Sequence, residues 1–294
     1  MNLKKNRQKL KQHSLQDIQS MIACFEDDIL PIIPSKVEIL LRAKQRRLKK
    51  KILGSSVLTL CTMLCGLYWY NPAYQKQNFM TRLGEQRNIQ LGDGSNITLN
   101  TNTYIQVEGR LRSREIILHK GEASFHIKHF ENKFFKQFER SFQVTAGNLF
   151  IVDIGTVFNV QRNTNTDSTV TVLEGEITAG IVNKKNTMVY LTKGQSLSNQ
   201  NYVLLGPIQT NLDIVTAWQN GHVIFNKTSL ESAIQNFQRY TDFDVTMNNS
   251  ELNNIKISGQ FKTSNYQEFM EVLPYISPVS VVTDSNKNWE IRKK

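Results

Sequence analysis

The 294-residue chain is short of cysteine, of catalytic motifs and, over one stretch, of charge. Its three cysteines are Cys24, Cys61 and Cys65, and none follows. Everything beyond must therefore fold on hydrophobic cores without disulfides. No Gly-x-Ser-x-Gly, P-loop, His-Glu-x-x-His or dinucleotide fingerprint occurs, which removes the common hydrolase, nucleotide-binding, zinc-protease and dehydrogenase readings. Of His13, His119, His126, His129 and His222, one pair forms His126-x-x-His129. At a strand end that spacing puts the two rings on different faces, with no third ligand beside them, so neither a metal nor another cofactor is expected.

The missing charge is the most informative absence. Ile52 to Tyr70 contains no ionisable acid or base of the Asp, Glu, Lys or Arg type. A helix of that length is about 28 Å long, close to the roughly 30 Å hydrocarbon thickness of a bilayer. Tyr68, Trp69 and Tyr70 gather at one end as an interfacial aromatic belt would. No small-x-small cleavage site stands at Asn71-Pro-Ala-Tyr-Gln75, so a retained single span is expected rather than a signal peptide. Residues 42–51 carry seven Lys or Arg and no acid, whereas the first charge past the span is Lys76. The positive-inside bias then places residues 1–51 in the cytoplasm and the C-terminal part outside.

Net charge divides along the same line. Of the overall +11, residues 1–51 hold +8, leaving +3 for 71–294. The basic run lacks interleaved aromatics and abuts the apolar stretch, so contact with anionic lipid is expected and nucleic-acid binding is not. Within residues 1–51, Ser14 with Asp17 resembles a capping box ahead of Leu15, Ile18, Ile22, Phe25 and Ile29, which predicts one amphipathic helix ended by Pro31 and Pro34. Its apolar face around Phe25 is expected to meet a partner or a second copy; a membrane-surface helix is the other reading. Ser35 with Glu38 predicts a second helix that runs through the basic run into the span.

Beyond a linker expected at 71–83, short alternating runs separated by turn residues predict strands. They fall at 89–91, 97–99, 104–107, 115–118, 122–127, 142–145, 149–154, 157–161, 169–173, 176–181 and 188–191, with an Asp-Gly turn at Gly92-Asp-Gly-Ser95. Such a series implies a mainly β domain, a sandwich or β-roll, over residues 84–205. The Phe-rich stretch 128–140 is expected as a loop with Phe130, Phe134, Phe135 and Phe138 packed inward, their presentation to a partner being the other reading. A small α+β module is expected over 217–294. Thr228 to Glu231 and Ser264 to Gln267 read as capping boxes ahead of two amphipathic helices, the second ended by Pro274, among strands near 223–225, 243–247, 255–261, 279–282 and 289–292.

Residues 84–200 resemble the periplasmic domain of the FecR-type transmembrane anti-sigma regulators. The matching pieces are Gly84-Glu85, Leu91-Gly-Asp-Gly-Ser95 with Ile97-Thr-Leu99-Asn100, Lys120-Gly-Glu-Ala-Ser-Phe125 and Phe142-Gln-Val144-Thr145. Ile154-Gly-Thr-Val-Phe-Asn-Val160, Val170-Thr-Val-Leu-Glu-Gly175 and Gly194-Gln195 continue the series. Gly92 replaces the family's usual proline in the first turn, and the 128–140 loop is longer than typical. Ala217-Trp218-Gln-Asn-Gly221-His-Val-Ile-Phe225, Gln238-Arg239-Tyr240 and Ile257-Ser-Gly259-Gln-Phe261 resemble the C-terminal part of the same regulators, a module similar to the signalling domain of TonB-dependent receptors and secretins. Residues 1–51 hold no tryptophan and no copy of the family's longer N-terminal pattern.

The resemblance implies a single-pass inner-membrane protein that relays a periplasmic signal to an extracytoplasmic-function sigma factor. Its implied partners are that sigma factor, the signalling domain of a TonB-dependent outer-membrane receptor of the iron-transport type, and envelope proteases. The residues singled out for partner contact are Phe25, Trp218, Phe225, Arg239 and Tyr240, with Trp218 and Phe225 equally readable as core. Conventional catalysis is not expected. Some members of the family split themselves at a Gly-Thr pair, which implies Thr156 as nucleophile and Gly155 as acyl donor. The other reading makes Gly155 a turn or bulge and Thr156 a sheet residue. An envelope scaffold with no sigma-factor partner, or a protein whose released fragment is the active species, are the rival functions.

Overall fold

A computed structural model describes residues 15–23, 35–129, 139–283 and 289–294. The chain divides into two units, Met1–Trp69 and Tyr70–Lys294. In the first, residues 15–23 form a helix, α1, with Leu15, Ile18, Met21 and Ile22 all exposed. Phe25, Ile29, Cys24 and the two prolines expected to end this helix lie outside the described residues. Helix α2, Lys36–Tyr70, is continuous for 35 residues. The Ser35–Glu38 capping box forms as its sequence predicts. The Glu38 amide donates to Ser35 Oγ at 3.2 Å, and the Ser35 amide donates to Glu38 Oε2 at 3.3 Å. Ser55, Ser56, Thr59 and Thr62 turn their hydroxyls back onto carbonyls three or four residues earlier, which hides polar groups that lipid could not satisfy. By length and composition α2 is able to cross a membrane.

The second unit begins with thirteen hydrogen-bonded strands. They are β1 (Ala73–Met80), β2 (Arg87–Gln90), β3 (Asn96–Leu99), β4 (Tyr104–Arg110), β5 (Ser113–His126), β6 (Ser141–Ala146), β7 (Leu149–Asp153), β8 (Val157–Arg162), β9 (Ser168–Glu174), β10 (Glu176–Ile181), β11 (Val189–Thr192), β12 (Gln195–Gln200) and β13 (Val203–Gln209). Strand β5 organises them. Its first half pairs with β4 and β6, continuing to β1 on one side and to β7, β10 and β11 on the other. Its second half pairs with β3 and β8, continuing to β2 and to β9, β12 and β13. Alternate residues of both groups, among them Ile105, Ile116, Leu118, Val144 and Ile151 from the first and Leu99, Phe125, Phe158, Val160 and Val172 from the second, form a single buried core.

Three differences from the sequence expectation have local causes. Residues 115–118 and 122–127 are one strand, because a bulge at His119, between the Leu118–Ile105 and Lys120–Tyr104 pairs, and Gly121 at φ +89° carry the chain from one ladder to the next without ending it. The stretch 71–83, expected as a linker, contains β1, which pairs with β4 along its length. Lys76 reaches the buried Glu108 at 2.8 Å. That hydrogen bond is the main cause holding the Glu108 carboxyl below its ordinary 4.5, with Arg110 and Gln106 adding to it against burial. Strands β12 and β13 have no counterpart in the hydrophobic pattern. The contacts of β12 to β9 include hydroxyl pairs, Thr171 with Ser196 at 2.7 Å and Thr169 with Ser198 at 2.9 Å, which carry no apolar alternation. The Phe-rich stretch 130–138 lies outside the described residues.

The module that follows contains a short helix α3 (Leu212–Thr216), β14 (His222–Ser229), α4 (Leu230–Gln238), β15 (Val245–Met247), β16 (Lys256–Lys262), α5 (Tyr266–Ile276), β17 (Val279–Thr283) and β18 (Trp289–Lys293). β14 pairs with β16, and β18 lies between β15 and β17. Both helices start one residue later than the capping boxes predict. Thr228 is held in the ladder opposite Ile257, so Ser229 caps α4 by accepting from the Ser232 amide. Asn265 caps α5 by accepting from the Glu268 amide. Pro274 sits inside the last turn of α5 rather than ending it. Phe225, Phe237, Phe261 and Phe269 stack edge to face at the centre of the module's core.

Candidate functional site

Two polar clusters stand out against these apolar cores. The first surrounds the three residues Ile154, Gly155 and Thr156 that join β7 to β8. This connection carries the chain from one group of strands to the other, as Gly175 does between β9 and β10. Gly155 has φ +142° and Gly175 φ +77°, conformations that a side chain would strain. The two crossings touch: a Cβ on Gly175 would lie 2.1 Å from the Gly155 carbonyl oxygen. Ile154 and Gly155 are exposed whereas Thr156 is buried, so the Gly155–Thr156 peptide lies at the surface with its hydroxyl turned in.

That hydroxyl donates to Oδ1 of Asp153, which also accepts the Gly155 amide at 3.2 Å in an Asx turn. The Asp153 side chain is fully buried, and its Oδ2 is met by His129 Nε2 at 2.7 Å. His129 Nδ1 faces Glu139 at 3.1 Å, so the imidazolium form satisfies a carboxylate on each side. The hydrogen bond to Asp153 is the leading cause that raises the His129 pKa above 6.5, helped by Glu139 against partial burial. Arg114 continues the chain to Glu139 at 3.2 Å and to Asp93 at 2.5 Å, its guanidinium lying over the Phe142 ring. Burial pushes the Asp93 carboxyl up, but Arg114 and Ser95 together take it below its ordinary 3.8. A cleft of about 330 Å³, lined by His126, Ile127, His129, Gly155, Thr156 and Glu174, opens beside the Gly155–Thr156 bond.

The second cluster is the seam between the thirteen strands and the C-terminal module. Glu122 of β5 is buried and receives Asn100 Nδ2 and Asn159 Nδ2, each at 2.8 Å, and Arg239 at 2.5 Å. Asn100 also donates to the Tyr240 hydroxyl at 3.0 Å, Thr101 Oγ1 donates to the Arg239 carbonyl at 2.8 Å, and Gln86 donates to the Trp218 carbonyl at 2.7 Å. Burial is the main reason the Tyr240 phenol titrates above its ordinary range.

Gly155 and Thr156 are brought together with Asp153 and His129. Arg239 and Tyr240 are committed to the seam, and Trp218 and Phe225, 4% exposed each, belong to the module's core, so in this packing these four do not form a free docking surface. Phe25 lies outside the described residues. The sequence motifs point to neither Asp153 nor Glu122. Asp153 has a local signal, three residues ahead of Thr156, whereas Glu122 meets Arg239 across 117 positions. Among the described residues no cluster of His, Cys, Asp or Glu is placed to hold a metal.

Comparison with known proteins agrees with this architecture. The family model described as FecR protein matches residues 77–178, and that described as FecR, C-terminal matches 222–291, together more than half of the chain. The chain belongs to the FecR family. Two crystal structures, each of a "putative anti-sigma factor from Parabacteroides distasonis ATCC 8503", at 2.50 and 1.65 Å, share the fold. Both are 19% identical with TM-score 0.61; one covers 75% of this chain and 100% of its own, the other 74% and 99%. No curated protein matches the sequence.

Proposed function

We propose that this chain is a single-pass anti-sigma factor of the bacterial inner membrane, with residues 1–51 in the cytoplasm and Tyr70–Lys294 in the periplasm. The observation that carries the reading is the order of parts. A basic run at 42–51 leads into an uncharged helix, and both FecR-family regions follow in one compact unit. Membership of the family and the anti-sigma description of the two Parabacteroides structures support an extracytoplasmic-function sigma factor as partner. The exposed Leu15, Ile18 and Ile22 of α1 give it an apolar face to bind.

Outside the membrane, the C-terminal module docks the signalling domain of a TonB-dependent receptor. With Arg239, Tyr240, Trp218 and Phe225 turned inward, strand addition at β17, an edge of its sheet, is the mode that fits. The signal then passes by stepwise proteolysis. Its first cut is self-cleavage at Gly155–Thr156, and envelope proteases act afterwards. The test is co-purification of the full chain, cross-linked in membranes, with its cytoplasmic partners. A sigma factor recovered with the full chain and lost when residues 1–51 are deleted is the expected result. Recovery of none overturns the proposal.

A further inference from the structure

The Asx turn at Asp153 needs only the Gly155 amide, yet the carboxylate is engaged on three sides. Oδ1 takes the Gly155 amide and the Thr156 hydroxyl, and Oδ2 is fixed by an imidazole that is itself fixed by Glu139. The arrangement is that of a nucleophile, a base beside it, and a group that orients the base. We infer that Asp153 is the general base for scission of the Gly155–Thr156 bond and that His129 is the residue that positions it. This rests on the reading that the bond splits by attack of its own threonine.

The step balances within the chain. Asp153 Oδ1 takes the proton of Thr156 Oγ1, and that oxygen bonds to the Gly155 carbonyl carbon. As the tetrahedral centre collapses, the bond from that carbon to the Thr156 nitrogen breaks, and the nitrogen takes the proton back from Asp153. The product is an ester between Gly155 and Thr156 Oγ1, with a free amine on Thr156. Water then opens the ester to a Gly155 carboxylate and a restored hydroxyl, the proton released going to the amine. Exposure of Gly155 gives that water access, while burial of Asp153 and Thr156 keeps the base and nucleophile in contact. Close approach of Gly175 to the Gly155 carbonyl leaves that carbonyl little freedom to turn away.

His129 contributes by geometry. The groups facing it are Asp153 at Nε2 and Glu139 at Nδ1, with Arg114 drawn in through Glu139. Both carboxylates favour its charged form, in which Nε2 donates to Asp153 Oδ2 and leaves Oδ1 to the Thr156 hydroxyl.

The test follows full-length chains, synthesised in detergent micelles, by gel as residues 1–155 and 156–294 separate. Asp153→Asn keeps the size and an acceptor oxygen while removing the base, and is expected to slow scission about 100-fold or more. Hydroxylamine, which captures esters, is expected to speed scission of the wild type and to do nothing for Asp153→Asn. His129→Gln is expected to slow scission less and to shift its pH profile. Thermal unfolding of each variant shows that the strands still form. Asp153→Asn splitting at the wild-type rate overturns the inference while leaving scission itself intact. A wild-type chain that stays whole overturns the scission reading, and the inference with it.

Discussion

The two polar clusters use the same residue types for opposite ends. At the seam, the Glu122 carboxylate is saturated by Asn100, Asn159 and Arg239. Each partner is a donor with nothing to give up, so the site is electrostatically closed. At the β7–β8 crossing, the Asp153 carboxylate instead faces a hydroxyl next to an exposed peptide bond, in a turn that only glycine adopts without strain. A buried acid surrounded by fixed donors is a structural joint. A buried acid touching a hydroxyl beside an exposed peptide bond has instead the groups that proton transfer to and from that hydroxyl would need. The two lie on one ladder, since β5 and β8 pair from Glu122 opposite Gln161 to His126 opposite Val157. The joint and the Gly155–Thr156 turn therefore share a strand pair.

Substitutions separate the two roles. Arg239→Ala, which leaves Glu122 buried without its cation, is expected to destabilise the Tyr70–Lys294 unit by about 3–5 kcal/mol in urea unfolding while leaving the proposed scission at Gly155 unchanged. Loss of scission together with stability would make the seam part of the reactive site. Gly175→Ala forces a Cβ onto the Gly155 carbonyl and strains a positive-φ position; a loss of about 1–3 kcal/mol and of scission is expected. Normal fragment yield from that variant would show that the contact between the crossings is dispensable. The smallest effect concerns pH. The His129 pKa is raised on folding, so its stabilising contribution is complete below its ordinary 6.5 and is lost as pH rises through the elevated folded value. The wild-type melting temperature should decline over that window relative to His129→Gln, and parallel curves would remove the imidazole from the network.

Much of the framework is legible in the sequence because strands with one buried face alternate. β3, β6, β7 and β10 fall within a residue or so of where Ile97-Thr-Leu99, Phe142 to Thr145, Leu149 to Ile154 and Glu176 to Ile181 place them. β1 and β12 escape because their pairing runs through polar contacts such as Lys76–Glu108 and Thr171–Ser196, which alternation does not mark. The Gly155–Thr156 turn is half legible. Gly155 and Thr156 stand out, and Asp153 is close enough in sequence to form its turn, but His129 joins it from 24 positions away. Partner residues were the least legible. An aromatic such as Trp218 or Tyr240 reads alike whether it faces a partner or the inside of its own unit, and here long-range packing turned both inward.

Scission at Gly155–Thr156 is tested most directly by the N-terminal residue of the C-terminal fragment, read by mass spectrometry from cells producing the full chain and its Thr156→Ala variant. A fragment beginning at Thr156 in the wild type and an uncut chain in the variant are expected. A fragment beginning elsewhere, or one that persists when Thr156 is alanine, would contradict scission at that bond.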